Sequence, residues 1–266
     1  MYFFHYNKFF TKNIFKFKYV IKKLLHYIIN FLYPAICIKC KNYTFNNGLC
    51  GKCFGKIEFI SSKSCNYCGK ELKINSPIIN NICEECFNSN KQLVHSNVNY
   101  QRSVSIIRLN KAGKQLIYEF KYSYKDYYGL YFARLFVLKY SNIINETDIL
   151  TYVPSHKIKT LLRKYNSAQI FAEYISGIAN KKIIKSLLIK SKYTKSQTTL
   201  NKVERKKNIQ GSIVINQKIK HQIKDKNILI VDDVITTGFT INYCKDILKY
   251  NSACNRIFCG SIARNR

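Results

Sequence analysis

Eight of the eleven cysteines in this 266-residue chain form four C-x-x-C pairs between positions 37 and 86, and this spacing constrains the fold of the segment. Two thiolates separated by two residues lie on one tight turn, and two such turns supply the four tetrahedral sulfur ligands of a structural Zn²⁺ site. Four pairs in succession are typical of metal binding in a reducing compartment rather than of a secreted disulfide framework. The predicted zinc ligands are Cys37, Cys40, Cys50, Cys53, Cys65, Cys68, Cys83 and Cys86.

The spacing between the pairs predicts two zinc ribbons. Nine residues separate the first two pairs and fourteen separate the last two, which is enough for a short hairpin in each case. Sequential pairing gives two closed Cys₄ sites with a structural role, and interleaved pairing is the alternative that spacing alone leaves open. A redox dithiol is disfavoured because it needs a single C-x-x-C beside a helix start. Without metal the segment has too little core to fold, and the other cysteines, Cys244, Cys254 and Cys259, are predicted to be buried.

Composition divides the chain into three parts. Residues 1–36 are basic and aromatic, residues 37–90 are Cys-rich and turn-rich, and residues 91–266 alternate β-like runs with helical patterns. Strand–helix alternation with continuous apolar strands predicts a mainly parallel sheet flanked by helices. The predicted fold class is therefore α/β, preceded by a small Cys₄ zinc-ribbon domain.

Apolar periodicity within residues 91–266 predicts the individual elements. The predicted strands are 103–109, 148–154, 183–189, 227–231 and 256–263, and the predicted helices are 114–124, 127–144, 159–180 and 240–250. The polar, Lys-rich segment 191–227 is predicted to be a mobile loop between strands.

The formal net charge of +31 would attract a polyanionic partner. It results from 45 basic and 14 acidic residues, and nucleic acid and an anionic membrane are the two candidates. The alternative is coding bias, because 37 of the basic residues are Lys and 8 are Arg, while Asn, Ile and Tyr are also abundant. Charge alone does not separate these explanations.

The first 36 residues predict a surface helix rather than a membrane span. Lysines interrupt the segment too often for a spanning helix, and no small-residue cleavage site follows it. From residue 20 to residue 32 the polar side chains fall within one arc of a helix whose remaining surface is apolar. Such a helix docks on its own protein or, alternatively, makes peripheral contact with a membrane.

The stretch ILIVDDVITTGFT, residues 228–240, places two acidic residues side by side after a predicted central strand. In a parallel sheet, the carboxyl ends of the strands and the loops after them line the ligand crevice. Asp232 and Asp233 occupy that position, and the hydroxyls and N–H groups that follow at a helix start predict an anion-binding turn. The residues of this turn are Thr236, Thr237, Gly238 and Thr240.

An acid pair beside a phosphate-binding turn suits a ligand such as ribose 5-phosphate, which carries vicinal hydroxyls and a phosphate. A capped strand-to-helix turn is the alternative, but a cap needs one such residue and not five. The stretch closely resembles the phosphoribosyl-pyrophosphate motif of type I phosphoribosyltransferases. This resemblance implies a type I phosphoribosyltransferase-like sheet, in which Asp232 and Asp233 hold ribose hydroxyls and the turn holds the 5′-phosphate. It also implies Mg²⁺ with phosphoribosyl pyrophosphate, bound through water, phosphate oxygens and ribose hydroxyls.

The end of the predicted strand 148–154 matches the position of the pyrophosphate loop in that fold. Ser155, His156 and Lys157 follow this strand and could supply donors and charge to a diphosphate. A solvated turn is the alternative for each of them taken singly. No sequence feature marks a general base.

The order of parts resembles the ComF family of competence-associated proteins: an apolar helix that ends at Pro34, paired C-x-x-C ribbons and the transferase domain. Supporting segments are LIYEFKY, VPSHKIKTLLRKYNSAQIFA, KYTKSQTTLNKVERKKNIQGSI and CGSIAR. The resemblance implies a flexible loop that closes over the diphosphate, with Arg205 as its phosphate-binding cation or, alternatively, as a solvated loop charge. The other matching loop positions are Thr194, Gln197, Leu200, Asn208 and Gly211.

Four residues depart from the family pattern. Lys164 stands where the family has Gly, Ser167 where it has Gln, Lys192 where it has Arg and Ile213 where it has Phe. None of them lies in the Asp-Asp-Thr-Thr-Gly core of the motif.

The resemblance implies a cytoplasmic accessory factor in natural transformation, which handles imported single-stranded DNA, works with DNA-uptake proteins and binds a phosphoribosyl or nucleotide ligand. The basic and aromatic content is compatible with single-strand binding, since cations follow phosphates and rings stack on bases. The alternative is an active phosphoribosyltransferase that acts on a base or an amine, although the ribbons occupy the N-terminal position of a base-recognition hood. A zinc-stabilised scaffold without a working site is disfavoured because the acid pair and the turn are intact.

Overall fold

The computed structural model describes residues 35–44, 48–61, 63–65, 67–72, 81–89, 103–123, 125–155, 160–161, 164–191 and 211–265. These residues belong to two compact units, Met1–Gly55 and Lys56–Arg266. The division falls inside the cysteine-rich segment, so the second half of that segment belongs to the unit that contains the sheet. The predicted amphipathic helix at 20–32 lies outside the described residues, and the predicted domain boundaries stay predictions.

Continuous apolar runs form the strands, as the sequence predicts. In chain order the described strands are β1 (Ser103–Arg108), β2 (Ile149–Tyr152), β3 (Lys182–Ile183), β4 (Leu188–Lys190), β5 (Ile213–Ile215), β6 (Ile228–Ile235) and β7 (Ile257–Arg264). Five of them form one sheet in the order β1-β7-β6-β2-β3, and every neighbouring pair in it is parallel. β4 and β5 form a separate antiparallel pair. The predicted fold class, a mainly parallel sheet flanked by helices, is confirmed.

Helices connect the parallel strands. In chain order the described helices are α1 (Gly51–Phe54), α2 (Glu84–Ser89), α3 (Lys111–Tyr122), α4 (Tyr127–Lys139), α5 (Ser141–Glu146), α6 (Ser167–Ala179) and α7 (Phe239–Asn251), with a 3₁₀ turn at Lys220–Ile223. Asn110 caps α3 by accepting the N–H of Gly113, and Asn166 caps α6 by accepting the N–H of Ala168. None of the described helices has the length and apolar character that crossing a membrane requires.

The strand order creates a topological switch point between β6 and β2. The chain continues from β2 to β3 towards one edge of the sheet and from β6 to β7 towards the other edge. β2 and β6 are hydrogen-bonded neighbours with Tyr152 opposite Val231, so their carboxyl ends lie side by side. Ligands of open parallel sheets bind in the crevice at such a point. The end of β6 is where the sequence places the acid pair.

The two faces of the sheet are covered by different kinds of side chain. On one face, α4 and α6 bury aromatic rings, with Phe136 and Phe171 in edge-to-face contact at a centroid distance of 5.6 Å. On the other face, α7 and the β4–β5 pair close an aliphatic cluster that includes Ile228 and Ile230 of β6. Successive strand residues point to opposite faces, and Val231 accordingly lies with Phe136 on the aromatic face. This alternation determines where the acids at the end of β6 point.

Residues 58–60, which follow the first two cysteine pairs, extend the sheet beyond β1. Phe59 forms an antiparallel bridge with Ile107, and the N–H of Ile60 donates to the carbonyl of Ile106 at 3.0 Å. An edge strand otherwise presents unpaired N–H and C=O groups that can pair with another chain. This segment covers those groups on β1.

The structure corrects several predicted elements. The predicted strand 183–189 is wrong, because a turn in its middle divides it into β3 and β4, which belong to different sheets. Exposed Lys185 and Ser186 occupy that turn, which explains the break in an otherwise apolar run. The predicted loop 191–227 contains β5 and the 3₁₀ turn in its described part. β6 continues to Ile235, beyond its predicted end, so the acid pair lies within the strand.

Gly260 of β7 leaves the space that the ring of Phe136 occupies. A methyl group on Gly260 would lie 2.6 Å from a ring carbon of Phe136 and 3.3 Å from Val231. Gly260→Ala should therefore lower the free energy of unfolding by about 1–3 kcal/mol through overpacking. The matched control is Gly177→Ala in α6, where nothing lies within 4 Å of the new methyl group and better helix propensity should add roughly 0.5–1 kcal/mol. Urea unfolding followed by circular dichroism measures both changes, and equal effects would contradict the packing of α4 against β7.

Candidate functional site

The eight predicted zinc ligands form two separate clusters. Cys37, Cys40, Cys50 and Cys53 make up the first cluster, and Cys65, Cys68, Cys83 and Cys86 make up the second. The Sγ atoms within each cluster lie within 4.8 Å of one another, with Cys40 to Cys50 at 3.6 Å and Cys68 to Cys83 at 3.7 Å. Four sulfurs that each lie about 2.3 Å from a tetrahedral Zn²⁺ are about 3.8 Å apart. Both clusters fit this metal, and their pairing is sequential rather than interleaved.

Backbone amides donate to the sulfurs in both clusters. The N–H of Cys50 donates to Sγ of Cys37 at 3.3 Å, and the N–H of Cys83 donates to Sγ of Cys65 at 3.3 Å. Such bonds orient the ligands and offset part of the thiolate charge. Because thiolates provide all four positions of each cluster, no position is open to a substrate, and a bound zinc ion would stabilise the fold rather than react.

The second cluster is built into the unit that carries the sheet. Gly69, at φ 74°, lies so close to β1 that a methyl group on it would meet the carbonyl oxygen of Ser103 at 2.4 Å. The guanidinium of Arg264 at the end of β7 donates to the carbonyl of Cys68. The ammonium of Lys245 on α7 lies 4.6 Å from the ring centroid of Tyr67. The second ribbon therefore contacts the helix that follows the acid pair.

The carboxylates of Asp232 and Asp233 point to opposite faces of β6. Asp232 continues the face of Ile230 and α7, whereas Asp233 continues the face of α3 and α6. One oxygen of Asp233 lies 2.8 Å from the ammonium of Lys121 on α3, and the side chain of Asp233 is 11% exposed. Its other oxygen accepts a hydrogen bond from the hydroxyl of Ser167, the first residue of α6. The protein thus anchors Asp233 from two helices.

Asp232 has different surroundings. It is partly exposed, and its carboxylate accepts the N–H of Asp233 at 2.8 Å. Burial, and next the like charge of Asp233, raise the pKa of Asp232 to about 7, although the positive charges of Lys121 and Lys190 oppose that rise. Lys190 is the last residue of β4, and burial lowers its own pKa. A carboxyl group that titrates near neutral pH at a ligand crevice is typical of a functional site.

The turn after β6 has the geometry of an anion-binding helix start. Gly238 precedes α7 with φ 79° and ψ −4°, a left-handed conformation that glycine adopts without steric cost. Gly238 has no side chain and therefore cannot cap α7. The N–H groups of the first helical turn receive no side-chain hydrogen bond from this residue. Thr236 and Thr240 are partly buried and Thr237 is exposed. The structure therefore brings the predicted phosphate-binding residues together at one helix amino terminus, where the dipole favours an anion.

The end of β2 is tied to the start of α6, beside the acid pair. The N–H of Val153 donates to the carbonyl of Val231 at 2.9 Å, and the side-chain amide of Asn166 donates to the carbonyl of Val153 at 3.2 Å. Ser155 follows and is partly exposed. The other two predicted diphosphate residues, His156 and Lys157, lie outside the described residues.

The predicted flexible loop is described only at its end. Arg205, Thr194, Gln197, Leu200 and Asn208 lie outside the described residues. Gly211 has φ 69°, and its N–H donates to the hydroxyl of Tyr243 on α7 at 2.7 Å. The chain therefore returns from this segment to the helix that starts at the phosphate-binding turn.

The departure from the family pattern at position 164 changes the residue and keeps the conformation. Lys164 has φ 61°, in the left-handed region that favours glycine. The family pattern has glycine at this position, so its backbone requirement is still met here, at the steric cost of a side chain.

Sequence-based reasoning missed three residues near the acid pair, namely Lys121, Ser167 and Lys190. Lys121 and Ser167 lie in segments that resemble the family, but nothing local to those segments indicates a contact with Asp233. Lys190 stands at the end of a run whose strands the sequence misassigned.

Comparison with known proteins gives matches to both parts of the chain. The family model described as a double zinc ribbon domain matches residues 28–89, and the model described as a phosphoribosyl transferase domain matches residues 164–266. Competence protein F of Haemophilus influenzae is 25% identical to this chain over 220 residues, which cover 80% of this chain and 90% of that protein.

Solved structures match 61% of the chain at low identity. One is described as the allosteric regulatory enzyme of purine biosynthesis (14% identity, TM-score 0.36), and another as glutamine phosphoribosylpyrophosphate amidotransferase from B. subtilis in complex with ADP and GMP (15%, 0.35). The chain spans about a third of the length of these two proteins, 31% and 32%. Their low TM-scores add nothing to the fold assignment, which rests on the parallel sheet and the family models.

The two cysteine clusters should stabilise different units. Cys86→Ser removes a ligand of the second cluster and should lower the Tm of the Lys56–Arg266 unit by roughly 6–12 °C, because zinc-binding energy is folding energy and a loss of about 3 kcal/mol shifts Tm by that amount. The matched control Cys40→Ser removes a ligand in the other unit and should leave this transition within about 2 °C. Metal analysis should find one zinc ion in either variant and two in the unaltered chain. Equal losses of Tm would contradict the assignment of the second ribbon to the sheet-containing unit.

Proposed function

Because this chain belongs to the ComF family of competence-associated proteins, we propose that its transferase-like domain binds a phosphoribosyl or nucleotide ligand at the carboxyl end of β6. The proposal includes an accessory role in natural transformation, in which the protein handles imported single-stranded DNA in the cytoplasm. The ligand part takes its support from the site, and the competence part from the name of the Haemophilus influenzae relative.

The observation that carries the ligand proposal is the position of the acid pair and the phosphate-binding turn at the switch point. Carboxylate oxygens accept hydrogen bonds from vicinal hydroxyls, while N–H groups at the start of α7 and the threonine hydroxyls donate to a phosphate. Both groups stand on one strand–turn–helix segment, within the nine residues from Asp232 to Thr240. A ribose 5-phosphate presents hydroxyls and a phosphate at opposite ends of one small ring, which suits this arrangement.

Phosphoribosyl pyrophosphate is the ligand of this class that we favour, together with Mg²⁺. When bound, Mg²⁺ would neutralise the diphosphate through phosphate oxygens, ribose hydroxyls and water. The chain itself would bind and orient the ligand. The acid pair would hold the ribose and the Thr/Gly turn the 5′-phosphate, with Ser155, His156, Lys157 and Arg205 directed to the diphosphate.

Phosphoribosyl pyrophosphate with Mg²⁺ should raise the Tm of the protein by mass action. At about 100 times Kd, binding adds about 2.7 kcal/mol, or roughly 5–11 °C for a unit of this size. The double change Asp232→Asn, Asp233→Asn should abolish the shift while the circular dichroism spectrum remains that of a folded protein. The matched control Asp225→Asn alters an exposed carboxylate at φ 56°, a conformation that Asn tolerates, and should keep the shift. An unaltered protein that shows no shift would count against a phosphoribosyl ligand of any role.

Single-stranded DNA is the macromolecular partner in this proposal. Tyr118 and Tyr122 on α3 are 63% and 45% exposed, and their ring centroids are 4.9 Å apart. Lys111 and Lys114 are exposed on the same helix. Rings that stack on bases and cations that follow phosphates are the two components of single-strand binding. α3 also carries Lys121, so this surface belongs to a helix that reaches the acid pair.

Binding of a fluorescently labelled single-stranded oligonucleotide should weaken steeply with salt. A complex that contacts about four phosphates should give a slope near −3 for log affinity against log salt concentration. Tyr118→Ala should weaken binding about fivefold or more through lost stacking, and Tyr250→Ala on α7, where the ring is 78% exposed, serves as the control. Affinity that does not depend on salt, or no binding, would remove the physical basis of this part of the proposal.

An active phosphoribosyltransferase is the alternative function. The match of residues 164–266 to the phosphoribosyl transferase domain supports it, and it uses the same site to transfer ribose 5-phosphate to a base or an amine. Release of diphosphate that depends on such an acceptor would favour the enzyme. A Tm shift without diphosphate release would favour a binding role.

A further inference from the structure

The two carboxylates of the acid pair differ in how far the protein itself uses their hydrogen-bonding capacity. Oδ1 of Asp233 is paired with the ammonium of Lys121 at 2.8 Å, and Oδ2 accepts the hydroxyl of Ser167. Only 11% of this side chain is exposed. Asp233 therefore has both oxygens engaged before any ligand arrives.

Asp232 is engaged at one oxygen only. Its Oδ1 accepts the N–H of the next residue at 2.8 Å, and among the described residues no side chain donates to its Oδ2. Asp232 is also the more exposed member of the pair. A carboxylate oxygen accepts from two directions, so Asp232 keeps most of its capacity for hydroxyl donors from outside the protein.

We propose that Lys121 and Ser167 are positioning residues that fix Asp233, and that Asp232 alone of the pair accepts the vicinal hydroxyls of the phosphoribosyl ligand. The identity of the ligand rests on the proposed function, whereas the division of roles rests on the contacts of the two carboxylates. Lys121 and Ser167 come from α3 and α6, outside the strand–turn–helix motif, so this chain supplies them from its own tertiary structure.

The charges around Asp232 give the proposal a measurable consequence. The titratable and charged groups that interact electrostatically with Asp232 are Asp233 on β6, Lys121 on α3, Lys190 on β4 and the thiol of Cys244 on α7. Burial and then the charge of Asp233 raise the pKa of Asp232, and Lys121 is the first of the groups that lower it. A protonated carboxyl group accepts fewer hydroxyls than a carboxylate, so ligand affinity should fall on the acid side of this pKa. Removal of the Lys121 charge should move that fall to higher pH.

The test measures the Kd of phosphoribosyl pyrophosphate with Mg²⁺ for the full chain by calorimetric titration from roughly pH 6 to pH 9, a range that brackets the expected midpoint. Asp232→Asn should weaken binding about 10- to 100-fold above the pKa of Asp232, which is the loss expected when a charged acceptor is removed, and should weaken it less at the acid end of the range, where that carboxyl is protonated. Asp233→Asn should weaken it by less than about threefold at the upper end of the range, because Asn can still accept from Ser167. Lys121→Met should weaken binding at neutral pH and recover at high pH, and Lys121→Arg should restore the unaltered profile.

Lys125→Met is the matched control, because Lys125 pairs with Glu119 at 3.4 Å and not with the acid pair. Its pH profile should equal that of the unaltered protein. The phosphates of the ligand ionise equally in every titration, so differences between variants report the protein. A Lys121→Met profile without a shifted midpoint, or an Asp233→Asn loss as large as that of Asp232→Asn, would overturn the proposal.

A ligand-free measurement separates this proposal from the proposed function. At pH 8, Asp232→Asn should lower the unfolding equilibrium constant about tenfold. The raised pKa of the Asp232 carboxyl group means that its ionisation, as pH rises through about 7, makes the folded state less stable, and the substitution removes this ionisable group. Asp233→Asn should raise that constant about tenfold, because it leaves the Lys121 ammonium without its partner in a half-buried position. Effects of the same sign would overturn the division of roles. The two substitutions can change the unfolding constant in opposite directions while the unaltered protein does not bind phosphoribosyl pyrophosphate. In that case the proposed ligand is wrong, and the anchoring of Asp233 by Lys121 and Ser167 is still supported.

Discussion

The central strand β6 is the constraint on which the rest of the structure depends. It is hydrogen-bonded to β2 on one side and to β7 on the other, and its first four residues are completely buried. Such a strand has to be apolar on both faces until it reaches the end of the sheet, where polar residues first become tolerable. The connections after β2 and β6 diverge there and leave a crevice. The acid pair and the start of α7, which has no side-chain cap, lie at this crevice.

Two adjacent carboxylates at that position are costly for the fold. They repel each other, they are partly removed from water, and the protein offsets them with ammonium groups from distant elements, Lys121 of α3 and Lys190 of β4. The strand pleat directs the two carboxylates to different faces. The protein holds Asp233 at both oxygens, whereas Asp232 can still accept hydrogen bonds from a ligand. A chain of 45 basic and only 14 acidic residues that retains this unfavourable pair does so at a site where charge serves a function.

Local signals in the sequence were sufficient to predict much of this arrangement. Apolar runs located β1, β2, β6 and β7, and C-x-x-C spacing located the sulfur clusters, because in both cases the structure follows from residues close together in the chain. Contacts between distant segments have no such local signal, so only the fold shows the partners of Asp233 and the close approach of the second ribbon to β1. The run 183–189 is predicted as one strand because it is apolar on both sides of the turn at Lys185 and Ser186. At position 164 the backbone has φ 61°, a conformation that suits glycine, although the residue in this chain is Lys164.

The pairing of residues 58–60 with β1 determines how the protein can be divided into fragments. A fragment that begins after the cysteine-rich segment would strip the outermost strand of its neighbour and offer bare backbone groups to other molecules. Such fragments would adhere to one another along that border. The smallest autonomous piece with the crevice intact therefore starts near Lys56 and retains one of the two sulfur clusters.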